Sequence, residues 1–285
     1  MKAQATCHGA GTIVNAIATG QGGAFGLALR ATATAEIRPD AFGVQARVPA
    51  DVDPVLAVSA ARRILDRANR DVGLEVSIDS EIPISRGLKS SSAVANAVVQ
   101  ASARALGLDL DPQEILLASV DAAIEAGVTI TGAFDDACAS LYGGICLTDN
   151  RTRRILAVDR FPMDLLAIVH IPRRRIRKSD LKGIDFAGIR PAVEAAFHLA
   201  LRGDYFHAIE ANSAAYAPVL GVDETPAHRA RAAGALAAGI TGTGPAIIAL
   251  AKRDRAQTVR EAMEDGESEI RIVELSPIEP SAVIR

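Results

Sequence analysis

Eleven residues in the first third of the chain are the most informative about its fold, and they read Pro83-Ile84-Ser85-Arg86-Gly87-Leu88-Lys89-Ser90-Ser91-Ser92-Ala93. They lie between a predicted strand at residues 74–78 and a predicted helix that ends at Gly107. Three consecutive serines at a helix start offer unpaired backbone N–H groups, hydroxyl donors and the positive end of the helix dipole. A phosphate group is a natural ligand of such a site.

An ordinary serine-capped helix would give the same local pattern, because one serine is enough for a cap and such caps are common. Gly87 would let the backbone approach a ligand closely, and Lys89 would add a mobile positive charge. On local chemistry alone the capped helix is the favoured interpretation, and the phosphate site is the alternative.

The remaining sequence alternates strand and helix patterns, which predicts an α+β protein. Residues 27–38 and 44–49 have the alternation of two strands that pair with each other. Asp111 with Glu114 three residues later forms a capping-box pattern, and residues 164–171 are apolar enough for a strand buried on both faces. The other predicted elements are helices near 189–202, 204–216 and 254–264 and strands near 246–252 and 269–275.

Two lobes are predicted within the 285 residues, a length that suits one large domain or two ordinary ones. The charged turn Asp149–Arg154 interrupts two apolar strands and marks the boundary. We therefore expect an N-terminal lobe of residues 1–155 and a C-terminal lobe of residues 156–285.

Composition and charge argue against several functional classes. The chain is 49% hydrophobic and 23% charged, which is typical of a folded globular protein. A net charge of −3 argues against general nucleic-acid binding, which needs a basic face. No stretch approaches the roughly 18 apolar residues of a membrane helix, and the first residues lack the apolar run of a signal peptide. Three cysteines without paired or metal-ligand spacing suit a reducing compartment, so we expect a cytoplasmic protein.

Two common nucleotide-binding motifs are absent from the sequence. No G-x-x-x-x-G-K-[ST] occurs, which excludes a P-loop kinase. The glycines of residues 20–26 are not in G-x-G-x-x-G register, and a predicted strand follows them instead of a helix. A Rossmann dinucleotide site is therefore not expected.

Three segments together resemble the motifs of the GHMP kinases (galacto-, homoserine, mevalonate and phosphomevalonate kinases). Residues 83–93, with proline, three residues and then Gly-Leu-x-Ser-Ser, are similar to the phosphate-binding motif of that family. Residues 9–20, GAGTIVNAIATG, occupy the place of its first, substrate-side motif, and residues 239–246, GITGTGPA, resemble its glycine-rich third motif. One such motif is weak, but the set in family order is specific.

The amino-acid sequences of these motifs resemble those of one branch of the family, the archaeal-type shikimate kinases. Lys89 stands where the family usually has glycine, and Gly-Leu-Lys-Ser-Ser-Ser is similar to the loop of that branch, as are residues 9–20 and 22–26. The resemblance implies ATP-dependent phosphorylation of shikimate to 3-phosphoshikimate. It also implies a ribosomal S5-like N-terminal lobe and a ferredoxin-like C-terminal lobe. A homoserine or mevalonate kinase, and a non-catalytic ligand sensor on the same fold, are the alternatives.

The same resemblance implies roles for individual residues. ATP would lie along Pro83–Ala93, and the acceptor would contact Thr12 and Asn15. Mg²⁺ would be held by Ser91 and Glu125, which suits the sparse oxygen ligation that this ion completes with water and phosphate.

Asp135 resembles the aspartate that acts as the base in several family members, which precedes a Gly-Gly pair, here residues 143–144. A helix cap is the alternative role for Asp135 or for Asp136. Adjacent side chains on a helix diverge, so only one of the two carboxylates is expected to face the site. Asp135 is our choice for the base, and Asp136 is the alternative if the alignment slips by one residue.

A carboxylate-bearing substrate also requires a cation. The run Arg173-Arg174-Arg175-Ile176-Arg177-Lys178 is more typical of a solvated surface, although one arginine could hold a carboxylate through two parallel hydrogen bonds. Arg86 is a further candidate. His170 and His198 are predicted to be structural or surface residues.

Overall fold

Two β-sheets organise the chain in the computed structural model, which describes residues 1–50, 52–129, 131–176 and 178–278. The first sheet has the strand order β3-β4-β2-β5-β6, with β1 paired to β2, and the second has the order β10-β7-β9-β8. The first sheet contains β1 (Lys2–Val14), β2 (Gln21–Arg38), β3 (Gly43–Arg47), β4 (Gly73–Ser80), β5 (Ile145–Asp149) and β6 (Arg154–Asp159). The second contains β7 (Leu165–Ile171), β8 (Ala237–Ile240), β9 (Ile247–Lys252) and β10 (Glu269–Glu274).

Helices from both halves of the chain pack on these sheets. They are α1 (Val55–Ala68), α2 (Ser90–Leu106), α3 (Pro112–Glu125), α4 (Phe134–Tyr142), α5 (Arg190–Leu201), α6 (Tyr205–Leu220), α7 (Thr225–Ala232) and α8 (Ala256–Ala262). The predicted α+β class is confirmed. Among the described residues, no helix has the length and apolar character needed to cross a membrane.

The long β1–β2 hairpin forms the centre of the first sheet, and α2 packs against it. Alanines alternate along β2, so that Ala31, Ala33 and Ala35 are buried and let a helix approach closely. The expected pairing of residues 44–49 with 27–38 is wrong. β3 pairs in parallel with β4 instead, and β4 lies between β3 and β2. The cause is α1, because a helix between two strands supplies the crossover that parallel neighbours need.

Local signals located the helix ends well. α2 ends with Gly107 in the left-handed conformation, as predicted. The capping box before α3 is confirmed, because the Glu114 backbone N–H donates to Asp111 Oδ1 at 2.8 Å and the Asp111 N–H donates to Glu114 Oε2 at 3.0 Å.

The second sheet has the buried strand β7 in its interior, flanked by β10 and β9, as its apolar sequence predicts. α7 and β8 were not predicted. β8 includes Gly239 and Ile240, two residues that the motif resemblance predicts in the glycine-rich loop. β6 still pairs with β5 in the first sheet, and the division of the lobes after residue 155 stays a prediction.

Candidate active site

A cavity of about 600 Å³ opens where the first sheet, α2, α4 and the loop after β8 meet. Its apolar lining comes mainly from the β3–α1 connection and from the region after β4. Its polar lining comes from the start of α2, the start of α4 and the loop at residues 242–243. The apolar residues include Val48, Pro49, Val52, Leu56, Ile78, Ile82 and Ile84, and the polar ones include Asn15, Lys89, Ser90, Ser91, Ser92, Asp135, Asp136 and Thr243.

The loop before α2 packs directly on the loop after β8. Thr241 Oγ1 donates to the Gly87 carbonyl at 2.9 Å. A Cβ atom at Gly87 would lie 2.0 Å from the Thr241 carbonyl oxygen, and Gly87 has a φ of +81°. Both the contact and the backbone conformation therefore require glycine at this position.

Residues at the end of β1 and directly after it hold the other side of the same loop. The Gly242 N–H donates to Thr12 Oγ1 at 2.7 Å, and Asn15 Nδ2 donates to the Gly242 carbonyl at 2.8 Å. Asn15 lines the cavity, whereas Thr12 is buried and is not part of the lining. Both side chains are thus engaged in joining segments of the fold, and their contact with a substrate stays a prediction.

The start of α2 is not capped by a serine side chain. The N-cap residue is Lys89, and no side chain makes a capping hydrogen bond there. The three serines instead follow in the first turn and line the cavity. Backbone N–H groups at this helix start therefore remain available to a ligand, which favours the phosphate site over the simple capped helix.

Most of the predicted ATP-binding segment lies in the cavity wall. The exceptions are Pro83, Arg86 and Ala93, which are not part of the lining. Arg86 instead donates through Nη2 to the Arg173 carbonyl at 2.6 Å.

Both carboxylates of α4 line the cavity, so the expectation that only one would face it is wrong. The two residues occupy the first turn of α4, and the cavity meets the end of that helix, where neighbouring side chains can both reach it. Asn150 Nδ2 donates to Asp135 Oδ1 at 2.8 Å. Lys89 Nζ lies 2.7 Å from Asp136 Oδ1.

The electrostatic environment of Asp135 is unusual. Burial, and after it the neighbouring charge of Asp136, raise the pKa of this carboxyl group to about 7, although Lys89 and the Asn150 hydrogen bond oppose the change. A carboxylate with a pKa near neutrality is suited to accept a proton at the pH of the cell.

The two predicted magnesium ligands differ in their relation to the cavity. Ser91 lines the cavity, but Glu125 does not. The Glu125 carboxylate accepts hydrogen bonds from Ser59 Oγ at 2.7 Å and Arg63 Nη2 at 3.4 Å, and its side chain is 59% exposed. Among the described residues, no group of three or more His, Cys, Asp or Glu side chains could hold a metal ion. The Ser91 hydroxyl fits a metal–nucleotide complex in the cavity, whereas the role of Glu125 as a magnesium ligand stays a prediction.

No arginine in the described part of the chain lines the cavity. Arg174 donates through Nη1 to the Gly221 carbonyl at 3.0 Å, and Arg177 lies outside the described residues. His170 is buried and pairs with Asp265, and His198 is exposed on α5, in agreement with the structural and surface roles predicted for them.

Sequence reasoning missed two residues that shape the site. Asn150 anchors Asp135, and no local pattern distinguishes an asparagine that ends a strand from an ordinary turn residue. Gly22 lies against the same carboxylate, since a Cβ atom there would be 2.4 Å from Asp135 Oδ2. The glycine-rich run 20–26 was the available signal for it.

Comparison with known proteins places these features in a family. Residues 55–144 match the model described as "GHMP kinases N terminal domain", and residues 228–267 match "GHMP kinases C terminal". A shikimate kinase of Methanocella arvoryzae is 39% identical over 89% of this chain and 86% of its own length. A shikimate kinase of Pyrococcus furiosus is 41% identical over 84% of this chain and 88% of its own. The fold is similar to that of the Methanococcus jannaschii mevalonate kinase, with a TM-score of 0.79, 15% identity and coverage of 97% and 99% of the two chains.

The contact at Gly87, in the loop before α2, can be tested against a matched glycine that follows the other end of this helix. Gly107 also has a positive φ, but a Cβ atom there would approach nothing closer than Arg70 Nη2 at 3.9 Å. Gly107→Ala should therefore lower the free energy of unfolding by only about 1–2 kcal/mol, which is the cost of the left-handed backbone conformation for a residue with a Cβ atom. Gly87→Ala should cost about 1–3 kcal/mol more, because the methyl group overlaps the Thr241 carbonyl. Urea unfolding of both variants measures the difference, and equal losses would show that the two loops do not depend on this close approach.

Proposed function

The chain belongs to the GHMP kinase family, and from this premise we propose that it transfers the γ-phosphoryl group of ATP to shikimate, giving 3-phosphoshikimate and ADP. One structural observation supports the reaction type. A single cavity contains both a helix start without a side-chain cap and a pair of carboxylates, of which Asp135 is buried. The choice of shikimate is supported by two relatives named shikimate kinase, which are 39% and 41% identical to this chain over most of its length.

We place the ATP phosphates at the start of α2. The backbone N–H groups of residues 90–92 and the dipole of the 17-residue helix favour negative charge there. The adenine base would lie against apolar lining residues such as Val48, Pro49 and Leu56, which suit a flat aromatic ring.

Asp135 is the proposed base. Its carboxylate accepts the proton of the acceptor hydroxyl as that oxygen bonds to the γ-phosphorus, and the bond from this phosphorus to the bridging oxygen of ADP breaks. Asn150 holds the carboxylate in place, and burial gives it a raised pKa. The reaction otherwise needs positioning and charge stabilisation more than covalent help from the protein.

We expect ATP to bind as its Mg²⁺ complex, in which the ion neutralises phosphate charge. Ser91 lies where its hydroxyl could contact that complex. The role of Glu125 stays a prediction, because its carboxylate is bonded to Ser59 and Arg63. None of the steps above depends on either metal ligand.

The alternatives have less support. Solved homoserine and mevalonate kinase structures are similar in fold at 20% identity or less, which does not identify an acceptor. A non-catalytic sensor would have no need for the carboxylate pair, and both carboxylates are present in the cavity.

Substrate choice provides the first test of the proposal. With ATP and Mg²⁺, the protein should turn over shikimate far faster than homoserine or mevalonate, because the relatives with high identity are shikimate kinases. A coupled ADP-release assay with the three acceptors measures this. If homoserine or mevalonate is clearly preferred, the kinase assignment stands and the proposed substrate is wrong.

The two adjacent carboxylates provide the second test. Asp135→Asn keeps the size of the side chain but cannot accept a proton, so turnover should fall by roughly 10²–10⁴-fold while ATP and shikimate still bind. Asp136→Asn should cost less. Steady-state kinetics and calorimetric binding of both variants decide the ranking. A larger loss for Asp136→Asn would assign the base to Asp136, and equal, mild losses would make the pair structural.

The phosphate site provides the third test. Ser91→Ala should reduce turnover by at least roughly tenfold, because a hydroxyl that interacts with the charged metal–phosphate complex is lost. Ser102→Ala is a matched control on the same helix, since Ser102 is fully buried and its hydroxyl has no hydrogen-bond partner. Circular dichroism should show both variants folded. Turnover of Ser91→Ala at the level of the control would remove Ser91 from the active site.

A further inference from the structure

The backbone of Lys89 has a conformation that lysine rarely adopts. Its φ is 64° and its ψ is 30°, in the left-handed region. Side chains with a Cβ atom are disfavoured there, whereas glycine is not. Such a conformation persists where surrounding contacts impose it, and it often marks a functional position.

The side chain of Lys89 is buried in the wall of the active-site cavity. It is 8% exposed, and its Nζ lies 2.7 Å from Asp136 Oδ1 on a side chain that is 14% exposed. A Cβ atom at Gly242 would lie 3.4 Å from the same nitrogen. The ammonium group therefore lies between the start of α4 and the glycine-rich loop, and it connects both to the start of α2.

The charges that line the cavity make this ion pair important. Asp53, Asp79, Asp135 and Asp136 contribute carboxylates, and within the described residues Lys89 contributes the lining cation. ATP and shikimate are both anions, so an uncompensated carboxylate next to Asp135 would oppose their approach. A buried ion pair that loses one partner leaves the other charge without compensation.

We propose that Lys89 is a positioning residue whose ammonium group neutralises Asp136 and holds the carboxylate pair of α4 against the phosphate-binding helix start. The left-handed backbone places the side chain there, and a glycine could adopt that backbone but could not supply the charge. The inference rests on the proposed function for the reaction itself. It differs from the sequence-based expectation that the lysine charge serves the phosphates.

A double-mutant cycle between Lys89 and Asp136 tests the inference. Lys89→Met leaves Asp136 without its partner, so kcat should fall at least about 100-fold, and the loss of ATP affinity caused by the uncompensated carboxylate should be restored in the double variant. Lys89→Met combined with Asp136→Asn removes both charges, and turnover should recover about tenfold relative to Lys89→Met alone. Lys89→Arg, which retains the charge, should keep more activity than Lys89→Met.

Two results would overturn the inference. Effects that multiply in the double variant would show that the two side chains act independently. A loss of ATP affinity of about tenfold or more in Lys89→Met, not restored in the double variant, would show that the ammonium group binds the phosphates.

The backbone conformation is tested by a second pair of variants. Lys89→Gly and Lys89→Ala both lose the ammonium group, but only glycine relieves the left-handed conformation. Lys89→Gly should therefore unfold at a higher urea concentration than Lys89→Ala, with similarly low turnover. Equal unfolding midpoints would show that the backbone at residue 89 is not strained.

The unfolding measurements also separate this inference from the proposed function. The cycle can be repeated with the urea midpoint as the readout and no acceptor present. If wild-type protein fails to phosphorylate shikimate but Lys89 and Asp136 remain coupled in stability, the substrate is wrong and the ion pair stands. If shikimate is phosphorylated and no coupling is found in either readout, the inference about Lys89 fails alone.

Discussion

The close approach of two loops at Gly87 and Thr241 is the constraint on which the site depends. Backbone meets backbone there, with Thr241 Oγ1 bonded to the Gly87 carbonyl and no room for a side chain. The same loop after β8 is held by Thr12 and Asn15 from the end of β1. Segments separated by more than half of the chain thereby converge on the start of α2, and the cavity forms where they meet.

Charge arrangement follows from that convergence. The start of α2 offers a partial positive charge and backbone donors to an anion. α4 brings two carboxylates to the same cavity, and they are compensated in different ways. Asp135 is buried with a raised pKa and is held by Asn150, whereas Asp136 is paired with Lys89. The proposed phosphate site and the proposed proton acceptor are thus placed together while the anionic character of the cavity is limited.

Local sequence predicted those features whose physical cause is local. The capping box at Asp111 and the helix end at Gly107 depend on a few neighbouring residues, and both are confirmed. The pairing of β3 was predicted wrongly, because strand neighbours depend on the crossover through α1. The sequence also failed to predict that Asp136 lines the cavity, for a similar reason. Helical geometry shows that adjacent side chains diverge, but it does not show that the cavity meets the end of the helix.

The roles expected for Thr12 and Glu125 show the same limit. The order of the motifs predicted the correct region for Thr12. Its hydroxyl, however, accepts a hydrogen bond from the Gly242 N–H, and only the folded structure reveals this contact. The family resemblance predicts Glu125 at the active site, but contacts with α1 determine where its carboxylate lies.

A crystal structure of the complex with shikimate and a non-hydrolysable ATP analogue tests the account most directly. We expect a γ-phosphate at the N–H groups of residues 90–92 and a shikimate hydroxyl about 2.6–3.2 Å from the Asp135 carboxylate. A triphosphate bound away from the start of α2, or a shikimate hydroxyl beyond hydrogen-bond reach of both carboxylates, would contradict it.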